Sequence, residues 1–275
     1  MSLATPWKDV TFVAFDTETS GAFPVGFEIV EMGAVKWKNG QILDRFQALI
    51  KPSVPMGEEV IKIHGITNEM VADAPPLSEV LPKFMEFLGD AVIIAHHAPF
   101  DLGFLVYDLE RAGLKVPTTP ALCSSLLARR MITESENHRL QTLVKVLNLG
   151  ENTAHRALDD AESCQRLSEI IFARVGADAT LAEITNKMAK RVVWSDYTLL
   201  NSGQENLKTL VEAVRSKKDV DFVYGGGSNK GLTRRMTPIG VVRNPDGDFV
   251  QAICHIDRAS KRFYVGRMTD LQIVY

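Results

Sequence analysis

Two carboxylates follow an apolar segment near the start of the chain. In the sequence TFVAFDTET, Asp16 and Glu18 come directly after TFVAF. Residues two apart in a strand project to the same face, so these side chains can bind one hard cation such as Mg²⁺ together. Because ionised carboxylates are costly to bury, the segment is either an ordinary strand end in water or part of a cation site.

A third carboxylate lies where a second buried strand ends. The segment AVIIAH predicts that strand, and Asp101 begins a helix over about residues 101–112. Acids are favoured in the first turn of any helix by its dipole. Asp101, however, shares a helix face with Leu105 and Leu109, which directs it toward the core and favours a site.

The segment HRALDDA carries the most informative carboxylate. In a predicted helix over residues 157–174, Asp160 lies within about 40° of Cys164 on the apolar stripe, whereas Asp159 lies about 100° away. A carboxylate centred on an apolar stripe requires a partner, and a metal ion is one. His155 can reach the same site from the loop before the helix, where it could act as a general base.

The elements that position these side chains alternate between strand and helix over residues 8–174. Two strands joined at Asn39 and Gly40 predict a hairpin. Three antiparallel strands followed by a helix–strand–helix section predict an α/β fold, with a mixed sheet covered by helices.

The rest of the chain predicts a second functional unit. Residues 175–205 are expected to form a helical connector with a capping box at Thr180 and Glu183. Residues 206–275 contain one helix and then short strands separated by turn signals, which predicts a small β-barrel.

The net charge of −3 is distributed unevenly between these parts. Residues 205–275 contain 12 lysines and arginines against 8 acidic residues, whereas the preceding residues contain 19 against 26. A basic tail could contact a polyanion, although scattered surface lysines would give the same count.

Composition excludes several other classes of protein. The 275 residues are 45% hydrophobic and 24% charged, and no segment approaches the length of a membrane span. The N-terminal residues MSLATPWKDV lack the features of a signal peptide. Cys123, Cys164 and Cys254 are odd in number and far apart, which predicts reduced thiols in a cytoplasmic protein rather than a disulfide framework or a zinc site.

The motifs FDTET, HGI, AHHAPFD and HRALDDA, in this order, resemble those of the DnaQ-like 3′–5′ exonucleases of the DEDDh type. These enzymes have an RNase H-like fold and include the epsilon proofreading subunits of DNA polymerase III and RNase T. The resemblance covers residues 8–174 and implies a proofreading or repair enzyme that releases nucleoside 5′-monophosphates from the 3′ ends of single-stranded DNA. It implies two Mg²⁺ or Mn²⁺ ions and His155 as general base, with the acidic ligands Asp16, Glu18, Asp101 and Asp160.

The same resemblance implies a set of contacts to the terminal nucleotide. Apolar wedges and stacking at such sites tolerate any base. Phe100 could equally belong to the core, and His64 could serve only the structure of its turn. His97 stands where the family usually has Asn, which adds a titratable ring beside the site. The expected contacts are Thr17, His64, Gly65, Ile66, His97 and Phe100.

The C-terminal segment RRMTPIGVVRNPDGDFVQAICHIDRASKRFYVGRM resembles a WYL domain, a small Sm/SH3-like barrel found in bacterial regulators. Asp248, Phe249 and Val250 replace the Trp-Tyr-Leu that names the family, which weakens any expectation of ligand sensing. Basic side chains on this domain could contact phosphates. They are Arg234, Arg235, Arg258, Lys261, Arg262 and Arg267.

Several functional alternatives stay open. The C-terminal domain could instead dock a DNA polymerase or a second copy of the chain, beside the expected nucleic-acid partner, and no membrane partner is expected. The enzyme could trim RNA 3′ ends rather than degrade DNA. In a different class, the chain could be a non-catalytic nucleic-acid-binding regulator led by the WYL-like domain.

Overall fold

The computed structural model describes residues 2–150, 153–227 and 230–275. Within them the chain forms two compact units. The first contains residues 2–20, 29–101 and 117–193, and the second contains residues 21–28, 102–116 and 194–275. None of the helices in the described ranges combines the length and apolar composition that a bilayer span requires.

The first unit is built on a five-stranded mixed sheet. Its strands are β1 (Phe12–Thr19), β2 (Ile29–Lys38), β3 (Gln41–Leu49), β4 (Val92–Ala95) and β5 (Ala121–Cys123). Their order is β3-β2-β1-β4-β5, in which β2 is antiparallel to β1 and β3, whereas β4 and β5 run parallel to β1. The predicted mixed sheet is therefore confirmed, with β5 as a strand that sequence patterns did not reveal.

The predicted hairpin between β2 and β3 is also present. Asn39 and Gly40 form its turn with φ angles of 47° and 78°. Both values lie in the left-handed region that a two-residue turn of this type requires.

Helices cover both faces of this sheet. The helices of this unit are α1 (Glu58–His64), α2 (Leu77–Leu88), α4 (Ser124–Met131), α5 (Leu140–Val146), α6 (Ala157–Val175) and α7 (Leu181–Lys187). Helix α3 (Pro99–Arg111) begins in this unit, and its residues from Leu102 onward belong to the second unit. Phe12 of β1 contacts Phe172 of α6 with ring centroids 5.0 Å apart, whereas Phe15 contacts Phe84 of α2 at 4.8 Å. Because alternate strand residues point to opposite faces, α6 covers the face that also carries Asp16.

Two further expectations, one for the first unit and one for the cysteines of both units, can be checked directly. Thr180 and Glu183 form the predicted capping box at the start of α7. Cys123, Cys164 and Cys254 are all buried, and no disulfide joins them.

The second unit contains an antiparallel sheet packed against one helix. Its elements are α8 (Glu205–Ser216), β6 (Val220–Tyr224), β7 (Thr233–Val242), β8 (Phe249–Cys254), β9 (Ala259–Tyr264) and β10 (Met268–Ile273). Leu207, Leu210 and Val211 of α8 share one apolar core with Val220 and Phe222 of the sheet. That core holds the helix against the strands.

Among the strands of the described residues, the predicted β-barrel is not closed. The strand order is β10-β6-β7-β8-β9, so β9 and β10 are the two edges of the sheet. Closure would require a hydrogen-bonded ladder between these edges. The short 3₁₀ turn Val265–Arg267 instead carries the chain from β9 across to β6, where β10 pairs.

Candidate active site

The carboxylates of β1 face two particular residues of β2. In the antiparallel register, Asp16 lies opposite Gly33 and Glu18 lies opposite Glu31. Directly opposite residues share one face of a sheet. Two ionised glutamates that face each other repel, which favours a positive charge beside them or protonation of one of them.

Gly33 lets α6 approach that face of the sheet. A Cβ added to Gly33 would overlap the backbone of Ala157 and Leu158. The absence of a side chain opposite Asp16 therefore allows the first turn of α6 to lie against β2. Asp160 belongs to that turn, and the close approach brings it to the carboxylates of β1.

Glu31 receives its positive charge from the start of α6. Its side chain is 0% exposed, and its Oε1 accepts hydrogen bonds from Arg156 Nη2 at 2.8 Å and Gln47 Nε2 at 3.0 Å. Its Oε2 accepts from Arg156 Nε at 3.2 Å and from the backbone N–H of Ala157 at 3.1 Å. The carboxylate thus ties β3 and the first residues of α6 to β2.

Asp160 and His155 lie together beside Glu18. Asp160 is 7% exposed and accepts hydrogen bonds from Gln141 Nε2 at 2.9 Å and from the backbone N–H of His155 at 2.9 Å. Ligand atoms of Glu18, His155 and Asp160 all lie within 4.8 Å of one another. Asp159 is turned elsewhere, since its Oδ2 accepts from the Thr153 backbone at 3.1 Å.

Asp101 reaches the same site from the first turn of α3. It is 2% exposed, and its Oδ1 accepts hydrogen bonds from the backbone N–H of Thr17 at 3.0 Å and from Thr17 Oγ1 at 2.9 Å. These bonds tie Asp101 to Thr17, the residue between Asp16 and Glu18 in the sequence. Thr17, predicted as a substrate contact, is 5% exposed and holds Asp101 in place.

The raised pKa values of these carboxyl groups indicate that positive charge is in deficit at the site. Burial, together with the charges of Asp160 and Glu31, raises the pKa of Glu18 to about 8. Burial raises the pKa of Asp101 to about 7 against the opposing hydrogen bonds from Thr17. Burial and the charges of its acidic neighbours hold the pKa of Asp16 well above its ordinary value, and burial also raises that of Asp160.

Glu31 behaves in the opposite way. Burial by itself would raise its pKa, but the hydrogen bonds from Arg156, Ala157 and Gln47 outweigh burial and lower it. The contrast with Glu18 follows from these three hydrogen-bond donors, which contact Glu31. Carboxylate oxygens are donors suited to hard divalent cations, so the acidic residues of the site fit bound Mg²⁺ or Mn²⁺.

The other predicted substrate contacts are distributed around the site. His64 is 5% exposed, and its Nδ1 accepts a hydrogen bond from the backbone N–H of Ile66 at 3.0 Å. Gly65 ends α1 in the left-handed conformation, with φ of 71°, and Ile66 is fully buried. Burial lowers the pKa of His64. Phe100 is half-buried in the first turn of α3.

A cleft of about 740 Å³ opens beside Asp160 and His155. His97 lines it, is exposed and has a φ of 74°. Its neighbour His96 is held between Ser124 Oγ at 2.9 Å and the carbonyl of His138 at 3.0 Å, and burial lowers its pKa to about 4. We therefore expect His96 to line the cleft as a neutral side chain.

Sequence patterns missed five residues that shape this region. Glu31 and Arg156 make the buried ion pair, Gln141 bonds Asp160, and Arg129 and Arg139 line the cleft. Arg156 stands inside the quoted motif HRALDDA, which was a signal for its importance. The others depend on strand register or on loop packing, which leave no local pattern.

Three of the basic residues predicted to contact nucleic acid are engaged within the second unit. Arg235 donates two hydrogen bonds of 2.7 Å to Asp221. Arg234 is 5% exposed, with Nη1 at 3.6 Å from Asp257, and Lys261 Nζ lies 2.7 Å from the same carboxylate. Their charges are largely balanced within the unit.

The other three are arranged differently. The guanidinium of Arg262 lies 4.1 Å from the ring centroid of Phe249, and that of Arg267 lies 5.8 Å from the centroid of Tyr264. Arg258 is exposed in a turn, with φ of 51°.

Comparison with known families identifies the class of protein that carries this site. The family model described as Exonuclease matches residues 13–167, and the model of the WYL domain matches residues 205–273. The first match covers more than half of the chain. The chain therefore belongs to the exonuclease family, and the predicted DnaQ-like exonuclease enzyme with a C-terminal WYL domain is confirmed.

The most similar curated relatives include much longer polymerases. The PolC-type DNA polymerase III of Bacillus cereus is 40% identical over 153 residues, which are 56% of this chain and 11% of the polymerase. The PolC-type enzyme of Halalkalibacterium halodurans is 37% identical over 229 residues, which are 80% of this chain and 16% of the polymerase. The chain thus spans a small part of the length of these relatives.

Solved structures show the same fold. Exonuclease X in complex with 5′ overhanging duplex DNA is 29% identical with a TM-score of 0.50, over 63% of this chain and 98% of that chain. E. coli Exonuclease I in complex with a dA16 oligonucleotide has a TM-score of 0.54 at 14% identity, over 89% of this chain and 55% of that chain. The α/β arrangement of the first unit accordingly matches the RNase H-like exonuclease fold.

Proposed function

We propose that this protein is a divalent-metal-dependent 3′–5′ exonuclease that releases nucleoside 5′-monophosphates from single-stranded DNA. The observation that carries the proposal is the facing pair of Glu18 and Glu31. Arg156 pairs with Glu31, whereas Glu18 adjoins Asp160 and His155, where a cation from outside the chain would balance the acidic charge.

Four carboxylates are proposed as the ligands of two Mg²⁺ or Mn²⁺ ions. When bound, these ions would supply positive charge to the scissile phosphate, acidify the attacking water and stabilise the leaving 3′ oxygen. Thr17 keeps Asp101 oriented through two hydrogen bonds, and Gln141 does the same for Asp160. The proposed ligands are Asp16, Glu18, Asp101 and Asp160.

His155 is the proposed general base. Its backbone N–H is tied to Asp160, while its ring stands at the exposed mouth of the cleft. A neutral imidazole in that position takes a proton from the attacking water and releases it to solvent. Its φ of 61° places it in the left-handed region, so the hydrogen bond to Asp160 helps to maintain an unfavourable conformation.

The substrate strand is proposed to be DNA, held at its 3′ end by the predicted contacts. A relative of the fold, Exonuclease X, is described in complex with duplex DNA that has a 5′ overhang. His97 and Phe100 lie at the end of β4 and the start of α3, where a terminal base could stack. The remaining proposed contacts are Thr17, His64, Gly65 and Ile66.

The domain organisation and partners are part of the same proposal. Residues 8–174 are proposed as the catalytic domain, 175–205 as a connector and 206–275 as the WYL-like domain, acting in the cytoplasm. The relatives named as PolC-type polymerases support a polymerase as a partner. Self-association through the C-terminal domain is the alternative.

Digestion of 5′-labelled oligonucleotides tests the proposal. Deoxy- and ribo-oligonucleotides, single-stranded and duplex, are incubated with the protein in Mg²⁺ or in EDTA. We expect a ladder that shortens from the 3′ end, nucleoside 5′-monophosphates by chromatography, and no cleavage in EDTA. Faster cleavage of the ribo-oligonucleotide would favour RNA trimming, and binding without cleavage would favour a regulator.

A further inference from the structure

The cleft beside Asp160 has an uneven distribution of permanent charge. Of the residues that line it, Arg129 and Arg139 are the permanent cations and Asp160 is the carboxylate. Arg129 lies in the last turn of α4, and Arg139 immediately precedes α5. Both arginines are exposed, and the charge of Arg129 is near enough to lower the pKa of His97.

These arginines differ from others of the first unit in their partners. Arg45 and Arg166 pair with Glu162 at 2.9 and 2.7 Å, and Arg174 pairs with Glu134 at 2.6 Å. In the part of the chain that the structure describes, no carboxylate lies within ion-pair distance of Arg129 or Arg139. Their guanidinium groups therefore have donors available to a ligand in the cleft.

A helix dipole offers a simpler reason for a basic residue at the end of α4. Arg130 shares that reason, since it is the next residue of the same helix and is also exposed. It does not line the cleft. Substitution of Arg130 therefore distinguishes an effect of positive charge at the end of the helix from an effect of positive charge in the cleft.

We propose that Arg129 and Arg139 bind internucleotide phosphates of the strand whose 3′ end reaches the carboxylates. The inference rests on the proposed function and names the groups that hold the substrate backbone. A phosphodiester carries one negative charge, and its approach to a cluster of carboxylates is opposed by repulsion. Guanidinium groups bind phosphate oxygens with paired hydrogen bonds, and two of them on the cleft wall offset that repulsion.

Salt-dependent binding tests this assignment without relying on cleavage. The affinity for fluorescent dT12 is measured by anisotropy at 50 to 200 mM salt, with Ca²⁺ in place of Mg²⁺ and intact strands verified by gel. For single strands the slope of log affinity against log salt falls by about 0.7 for each lost phosphate contact. We expect that loss for Arg129→Gln and for Arg139→Gln, about twice that loss for the double variant, and no change for Arg130→Gln.

Two comparisons make the result specific. Arg139→Lys keeps the charge and should retain the wild-type slope. A methylphosphonate linkage removes the charge of one phosphate. Placed at the contacted position of dT12, it should lower the salt slope of the wild-type protein but leave the slope of the corresponding arginine variant unchanged. Unchanged slopes in both glutamine variants, or an equal loss in Arg130→Gln, would overturn the proposal.

The binding assay also separates this proposal from the proposed function. Protein that binds dT12 through Arg129 and Arg139 but cleaves no oligonucleotide would support the phosphate contacts and refute the exonuclease assignment. Metal-dependent cleavage with unaltered salt slopes in the variants would support the exonuclease assignment and refute the phosphate contacts. Thermal unfolding of each variant verifies that exposed arginines have been replaced without loss of the fold.

Discussion

Replacement of Arg156 by glutamine would leave the buried carboxylate of Glu31 without its cation. Glu31 is 0% exposed, and removing one partner of a buried ion pair costs about 3–5 kcal/mol. The reverse change, Glu31→Gln, leaves an arginine whose side chain is already 32% exposed and can turn toward water. We therefore expect a smaller cost of about 1–3 kcal/mol, for the lost charged hydrogen bonds.

The difference should depend on pH in a defined direction. The pKa of Glu31 lies below its ordinary value of 4.5, because its hydrogen bonds outweigh burial. A carboxyl group whose pKa is lowered on folding contributes stability that is complete above the unfolded value and is lost as the pH falls through the folded value. The destabilisation by Arg156→Gln should therefore be full near pH 7 and should shrink below about pH 4.

Urea unfolding of the metal-free protein at several pH values measures these costs. Lys62→Gln is the matched control, since Lys62 pairs with Glu58 at 3.4 Å with side chains 74% and 89% exposed. Such a pair contributes about 0.5 kcal/mol or less. The reasoning fails if Arg156→Gln costs no more than Lys62→Gln, or if its cost is the same at pH 7 and at pH 3.

The remaining predictions concern the site itself. Asp160→Ala should abolish metal-dependent cleavage while Asp159→Ala keeps most of it, which gel assays of the two folded variants would reveal. His155→Ala should lower kcat by about 10²–10⁴-fold, and turnover like that of the wild type would remove it from the mechanism. Gly33→Ala should lower both the melting temperature and activity, because the new Cβ overlaps the start of α6. Since the pKa of Glu18 is raised from 4.5 to about 8, the folded metal-free protein retains a proton that the unfolded chain releases. Its melting temperature should fall as the pH rises from 4.5 to 8 and should recover with Mg²⁺, and a flat profile without metal would contradict the raised pKa.

The placement of Asp160 could be predicted because helical periodicity is a local property. The 3.6-residue repeat centres Asp160 on the apolar stripe, and the structure buries it while Asp159 bonds to the backbone of Thr153. The hairpin at Asn39 and Gly40 was equally accessible, because the turn type dictates those residues.

The partnership of Glu18 with Glu31 could not be predicted in the same way. It depends on the register between β1 and β2, which shifts at a bulge between Glu18 and Thr19. A shift of one residue would turn Glu31 to the other face of the sheet. The barrel prediction failed for a related reason, since turn signals locate strands but do not determine which edges pair.

The first turn of α6 would link the stability of the fold to the binding of the proposed metal ions. Arg156, immediately before this turn, pairs with Glu31, and Asp160 within the turn lies near Glu18. Both contacts require the close approach of the helix to Gly33. The first contact reduces repulsion within the sheet, whereas the second adds a carboxylate to a region already short of positive charge. A divalent ion bound as proposed would therefore stabilise the contact between α6 and the sheet as well as the carboxylates, and we expect the start of α6 to be the segment whose hydrogen-exchange protection depends most directly on metal.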